Sequence, residues 1–339
     1  MGEKAEEKRL AILRVLHEED RPLNSARIAE HLGAMGHKVS ERTVRFHLKA
    51  LDQDKLTENL GKKGRRITER GHRELSSSRI FEKVGYLAAK IDLMTYRMDF
   101  NLETQTGSVV MNVTLLERDQ LERAYPLISR VFTANFAMGK LLTILTPGER
   151  IGEVSIPAGK VGIGTICSIT LNGILLEHGI PTISRFGGLM ELKSGKPARF
   201  VELIHYEGTT LDPLEIFIRS GMTDYWGATE TGNGLVGASF REVPGDSRDR
   251  VLAVARKMDE VGLGGVCLVG WPGRPLLDIP VSEGRLGVIV MGGLNPVAIL
   301  EELGIRVRHT GALAGLIEYR ALFPFEKLKE RVKELSGTA

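Results

Sequence analysis

The chain is poor in the features that mark enzymes, secreted proteins and membrane proteins. It has no Walker loop, no HExxH and no GxSxG, so P-loop phosphate chemistry, zinc hydrolysis and the strained nucleophile of the α/β-hydrolases are not written into it. His178, His205 and His309 stand alone in sequence and read as structural. The two cysteines, Cys167 and Cys267, are far apart and match no metal-ligand spacing. They read as buried thiols of a reducing compartment, and no metal, cofactor or catalytic residue is expected. No run reaches the 18 or so apolar residues of a membrane span. The charged N-terminus runs straight into a helix instead of a signal peptide, so a cytoplasmic protein is expected. The segment Gly232–Gly237 has the spacing GxGxxG, but no apolar strand leads into it and the following ASFREVPGD is strand-like. That context reads as a turn into a strand, not a dinucleotide loop.

The charge is unevenly distributed. The net charge of the chain is +3, yet residues 1–78 hold 17 Lys and Arg against 13 Asp and Glu, and the remainder holds 29 against 30. Residues 40–73 alone hold 10 against 5. A basic module on a near-neutral body is the electrostatic footprint of a DNA-binding head. With 42% apolar and 26% charged residues the body is an ordinary globular mix, and 339 residues allow two or three domains.

The basic quarter reads as three helices and a wing. Residues 4–18 place Leu10, Leu13, Val15 and Leu16 at helical spacing, and Pro22 marks a break. Residues 24–35 form a short second helix with Ile28, Ala29 and Leu32 inward, capped at Asn24 or Ser25 and ended by Gly33 and Gly36. A third helix opens at Ser40, a good N-cap, and repeats Val44, Leu48 and Leu51 on one face. Arg42, Arg45 and Lys49 fall opposite. This is a helix-turn-helix. Residues 55–57 and 66–68 are expected to pair as a hairpin around Gly61-Lys62-Lys63-Gly64-Arg65-Arg66, a cationic tip suited to phosphate. The candidate DNA contacts are therefore Ser40, Arg42, Thr43, Arg45, Phe46 and Lys49 on the helix, with Lys62, Lys63, Arg65 and Arg66 on the wing.

The expected domains are a winged-helix head at 1–75, a linker and helix at 76–95, a mixed α/β body at 96–325 and a C-terminal tail at 326–339. The boundary falls near Ser76-Ser77-Ser78, and Ile80, Val84, Leu87 and Ile91 line one face of a helix over 79–93. In the body, 108–115 reads as a strand, 117–134 as a helix interrupted at Pro126, and the uncharged run Val161–Leu176 as strand, turn and helix.

The body contains an internal duplication, centred on residues 155–192 and 279–319. Gly159-Lys160-Val161-Gly162 answers Gly284-Arg285-Leu286-Gly287, Leu171-Asn172 answers Leu294-Asn295, and Gly179-Ile180 answers Gly304-Ile305. Gly188-Leu189 and Glu191 answer Gly315-Leu316 and Glu318. On this alignment the second copy has two more residues between its Asn and its Gly-Ile, hence a slightly longer helix. Asn295-Pro296 reads as an N-cap followed by Pro at the first helical position. Two such helix starts, with their unpaired N–H groups, suit an anion. Cys167, Ser168, Asn172, Arg185, Asn295, Arg306, Arg308 and His309 are the candidate contacts for a small dicarboxylate effector.

The SERTVRFHLKAL helix with its basic wing, and the segment GRLGVIVMGGLNPVAILEELGI, resemble the NrpR-type nitrogen repressors of archaea over nearly the whole chain. The LNP motif and the Gly-Ile after its helix are the most specific part. The resemblance implies a repressor of nitrogen-assimilation operons that binds a palindromic operator in double-stranded DNA as an oligomer, a homodimer here, with 2-oxoglutarate as inducer. Members of that family often carry two tandem regulatory domains, and this chain has room for one. Two other readings of the body stay open: a module that holds a partner regulator, and an enzyme acting on a small organic acid.

Overall fold

The computed structural model describes residues 3–19, 21–34, 39–72, 74–75, 86–152, 154–309 and 314–336. It divides into two compact units, Met1–Val84 and Gly85–Ala339. The expected boundary at Ser76–Ser78 and the first part of the helix expected over 79–93, with Ile80 and Val84, lie outside the described residues.

In the first unit α1 (Glu3–Glu18), α2 (Ser25–Ala34) and α3 (Glu41–Gln53) precede the strands β1 (Thr57–Asn59) and β2 (Arg65–Ile67). Ile12, Leu13, Leu16, Ile28, Val44, Leu48 and Leu51 form its fully enclosed core, each burial contributing roughly 1.5–3 kcal/mol. The hairpin is displaced by about two residues from the expected pairing on its first strand, with Thr57 opposite Ile67 and Asn59 opposite Arg65. Leu23 bridges Arg65 on the other side. The close approach needs glycine at Gly64, whose φ is 100° and where a Cβ would lie 2.4 Å from the Leu23 carbonyl. The unit is a winged helix-turn-helix.

In the second unit α4 (Tyr86–Arg97) comes first. The chain continues as β3 (Ser108–Glu117), α5 (Leu121–Thr133), β4 (Leu141–Leu145), a small hairpin of β5 (Arg150–Ile151) and β6 (Val154–Ser155), β7 (Lys160–Ile166), α6 (Ile169–Glu177) and β8 (Ile183–Lys193). Then β9 (Lys196–His205), α7 (Pro213–Arg219) and α8 (Tyr225–Thr231) lead into β10 (Gly234–Pro244), α9 (Arg248–Glu260), β11 (Val266–Val269), β12 (Arg285–Met291), α10 (Asn295–Glu302), β13 (Val307–His309) and β14 (Gly315–Glu318). β15 (Phe323–Pro324) and α11 (Leu328–Ser336) close the unit. The segment Gly232–Gly237 is the end of α8 and the start of β10, a turn into a strand as its context implied. Helix α5 runs unbroken through Pro126. Burial of Leu121, Ala124, Ile128, Val131 and Phe132 along one face outweighs the hydrogen bond that proline cannot donate. The segment expected as a tail is largely α11, with Leu328 and Val332 fully buried in the main core.

The two sheets have the same core order. One runs β13-β3-β7-β4-β15, with β14 also on β3, and the other runs β11-β12-β10-β8-β9. The unit β4-β7-β3-β14 thus matches β11-β12-β10-β8, and every pairing is antiparallel. The last strand of each half is exchanged: β8 ends the first half but pairs with β10 of the second, and β14 ends the second half but pairs with β3 of the first. The duplicated unit is therefore β-α-β-β-α-β, from β3 to β8 and from β10 to β14, and begins about fifty residues earlier than the sequence repeat showed. The helices cross over too: α5 and α10 share one core, α6 and α9 the other.

Candidate DNA-binding face and effector site

Ser40 caps α3, its Oγ accepting from the Thr43 N–H at 3.2 Å. With Val44, Leu48 and Leu51 inward, Arg42, Arg45, Phe46 and Lys49 are exposed on the opposite face. Phe46 is 72% exposed, an apolar ring in the middle of a cationic surface. Arg45 pairs with Glu41 one turn earlier, and Glu41 also accepts from Ser25 Oγ. Those bonds hold the Glu41 carboxyl below its ordinary range. On the wing, Lys62 and Lys63 sit exposed on a turn at Gly61–Lys63. Arg65 does not project with them. Its Nε donates to Asp52 at 2.9 Å, and its backbone pairs with Leu23. Arg66 pairs with Glu58 across the hairpin but stays exposed. A cleft of about 320 Å³ beside the wing is lined by Arg21, Arg27, His31 and Lys63. The sequence reading did not single out the first three, because they lie outside the recognition helix.

In the body the two equivalent helix starts meet. Cys167, Ser168 and Ile169 at the start of α6, and Gly293 and Leu294 at the start of α10, line one narrow cavity of about 20 Å³. Asn112, Tyr206, Asp212 and Leu214 complete its walls, and Leu87 and Ile91 of α4 cover it. That volume admits about one water molecule. Asp212 is the N-cap of α7, accepting from the Leu214 N–H at 2.7 Å. Burial nevertheless pushes its carboxyl up to about 6. Burial also raises Tyr206 to about 12, against the opposing effect of Arg241; its hydroxyl donates to Ser239 at 3.1 Å.

Behind the Ser168 wall lies Arg241, wholly buried on β10. Its Nε donates to Asn172 Oδ1 at 2.6 Å and its Nη2 to Ser168 Oγ at 3.0 Å. Asn172 in turn donates to Ser184 at 2.9 Å. Ser168 makes no capping bond to α6, because its hydroxyl faces Arg241. The structure thus gathers Cys167, Ser168 and Asn172 of the expected set and adds Arg241, a residue hidden in an apparently ordinary strand, GASFRE.

The other expected contacts are arranged differently. Asn172 is not a cap: α6 starts three residues earlier, and Asn172 lies within it. Asn295 follows the capping position, which Leu294 occupies. Its side chain is spent on the fold, Nδ2 donating to the Phe136 and Gly237 carbonyls at 2.7 and 2.8 Å while Oδ1 accepts from Tyr225 at 2.6 Å. Nor are the two asparagines equivalent. Ile166 pairs with Met111 and Met291 with Ala238, and Gly179 and Gly304 follow by the same thirteen residues. This ungapped match places Thr170 opposite Asn295 and leaves neither helix longer by two. Thr170 Oγ1 bonds the Val110 backbone just as Asn295 bonds that of Gly237. Arg185 sits at a bulge of β8, between Phe186 opposite Phe240 and Ser184 opposite Arg241. Arg306 and Arg308 are exposed near the edge strand β13. His309 is buried, sharing a hydrogen bond with Thr114 at 2.8 Å and lying 3.3 Å from Glu301. None of these four lines the cavity.

Residues 84–323 match the family model of the NrpR regulatory domains NRD1 and 2. The chain belongs to the NrpR family. Residues 10–75 match the winged-helix domain of ribonuclease R, as the fold of that unit does. The chain is 34% identical to global nitrogen regulator NrpRI of Methanosarcina mazei, over 95% of this chain and 99% of that protein. It is 30% identical to global nitrogen regulator NrpR of Methanococcus maripaludis over 93% of this chain, but spans only 54% of that longer NrpR protein. A crystal structure of a nitrogen repressor-like protein from Methanococcus jannaschii superposes with a TM-score of 0.60 at 25% identity, covering 70% of this chain and 97% of that one. In NrpR terms, the duplicated body with its buried polar knot is the regulatory domain and the cationic head precedes it.

Proposed function

We propose that this NrpR-family chain is a DNA-binding repressor of nitrogen-assimilation genes that is released by a small dicarboxylate, 2-oxoglutarate, bound between the two halves of its body. The observation that carries the reading is the union in one chain of an exposed cationic helix and wing with an NrpR regulatory domain. The names of the relatives support its coarser part, nitrogen regulation. Arg42, Arg45 and Lys49 read base edges in the major groove while Lys62, Lys63 and Arg66 hold phosphate.

Helix α4 supports the switching part. Its inward residues Leu87 and Ile91 close the cavity, and its outer face carries Tyr86, Ala89, Leu93 and Tyr96, all exposed. The spacing of three and four is that of a two-helix seam, and a second copy of this chain is the occupant that suits a palindromic operator. A ligand larger than a water must move Leu87 and Ile91, so effector entry and dimer geometry act on one helix. The effector must bind the DNA-incompetent state more tightly, by about 10⁴-fold for a nearly complete switch.

The test is to select genomic fragments with the purified protein and titrate 2-oxoglutarate against the bound duplex. Release of DNA is the expected result, and unchanged binding at saturating 2-oxoglutarate sinks the effector assignment. Leu93→Glu should shift the sedimentation coefficient to that of a monomer; an unchanged value would remove α4 from the interface.

A further inference from the structure

The effector site has one feature that an ordinary protein core does not tolerate. Arg241 is fully buried, and among the described residues no carboxylate forms an ion pair with it. Its Nη1 has no hydrogen-bond partner among the described residues. The adjacent Glu242 is committed elsewhere, accepting from the Ser282 N–H at 2.9 Å and its hydroxyl at 2.8 Å. A guanidinium stays charged even where burial opposes it, and a buried charge calls for a counter-charge. Burial does push Arg241 toward its neutral form.

We propose that Arg241 is the buried counter-charge for one carboxylate group of the effector, with the Ser168 hydroxyl turning from Arg241 to the ligand. The assignment rests on the effector reading above and names its chemistry. Ser168 lines the cavity and accepts from Arg241, so a carboxylate entering at Ser168 is separated from the guanidinium by that one hydroxyl and reaches it once the hydroxyl turns. Asn172, itself held by Ser184, accepts from Nε and leaves the Nη edge for the ligand. The positions related to Arg241 and Ser168 by the internal duplication lack the device. Strand pairing places Thr114 opposite His309 where Arg241 stands opposite Ser184, and Gly293 replaces Ser168. Each body therefore offers one cationic pole, and the ligand binds in one orientation.

Titration calorimetry of the full chain with 2-oxoglutarate, oxaloacetate and glutarate tests this. The wild type should bind at least one of them, and Arg241→Gln should weaken that binding about 100-fold or more while retaining DNA binding. Equal binding by wild type and Arg241→Gln overturns the proposal and leaves the effector reading standing. Binding of none of the three by the wild type overturns both. Should Arg241→Gln fail to fold, Ser168→Asp decides, because it tethers a carboxylate beside Nη2. It should melt at a higher temperature than wild type and no longer bind the dicarboxylate, whereas Ser168→Asn, which is uncharged, should not melt higher. Equal melting and equal binding for the two Ser168 variants overturns the proposal.

Discussion

Asp212 shows how one side chain can be both right for its element and costly to its surroundings. As an N-cap it favours α7, yet its enclosure lifts its carboxyl from the ordinary 3.8 to about 6. The folded state then holds a proton that the unfolded chain releases earlier. This contribution to stability is fully present below pH 3.8 and is lost as pH rises through about 6, at roughly 3 kcal/mol for the whole shift. Asp212→Asn keeps a capping oxygen without the charge. It should be more stable than wild type above pH 7, with the gain vanishing near pH 4, as read by urea denaturation across that range. Asn295→Leu goes the other way. It strands the Phe136 and Gly237 carbonyls and the Tyr225 hydroxyl, and about 3 kcal/mol should be lost in the same assay. At this scale the sequence marked Ser168 and Cys167 as neighbours of a helix start that it placed at Asn172, and the structure moves that start to Ser168. It could not mark Arg241, because burial of a charge is decided by strands that are distant in the chain.

The recognition helix and the wing have separable tasks. Arg45→Ala should cost roughly 1–3 kcal/mol on the preferred duplex and relax its sequence preference, if Arg45 pairs with a guanine. Lys63→Ala should weaken all duplexes alike and lower the slope of log affinity against log salt by about one unit, measured by fluorescence anisotropy. A change of sequence preference in Lys63→Ala would show the wing to be reading bases. The helices of the head were legible because Val44, Leu48 and Leu51 keep one strict period and Ser40 marks its start. The wing pairing was less legible. Its register is set by Leu23, and a bridging residue some forty positions away leaves no local periodicity. The same holds for α5, where the apolar stripe overrode a proline that alone reads as a break.

For the whole molecule, the two units make different demands on the chain. Among the described residues, the core of the head draws on residues 11–75. A fragment of residues 1–75 should therefore keep its helical circular dichroism and a salt-sensitive affinity for any duplex. The body should not divide in the same way. A fragment of residues 99–193 carries β8 without β10 and β3 without β14, so it should not unfold as a cooperative monomer in denaturant. A sharp monomeric transition would contradict the exchange. The duplication was visible only around its glycine-rich turns, where backbone geometry restricts the residue choice. Its first three elements have diverged to any apolar residues that fill the core, and pairing register alone reveals them.

The exchanged strands also record a history. Two identical copies of one half, each lending its final strand to the other, would form a strand-swapped homodimer with both edges satisfied. Fusing those copies into one chain keeps every pairing and frees the two sides to differ. Arg241 and its counterpart Thr114 are such a difference: a symmetric pair could not have placed a single charge at the centre without its mirror image. On this view the asymmetry of the ligand pocket postdates the fusion. A chain built from two copies of the first half, with Thr114 on both sides, should fold into the same body and bind no carboxylate.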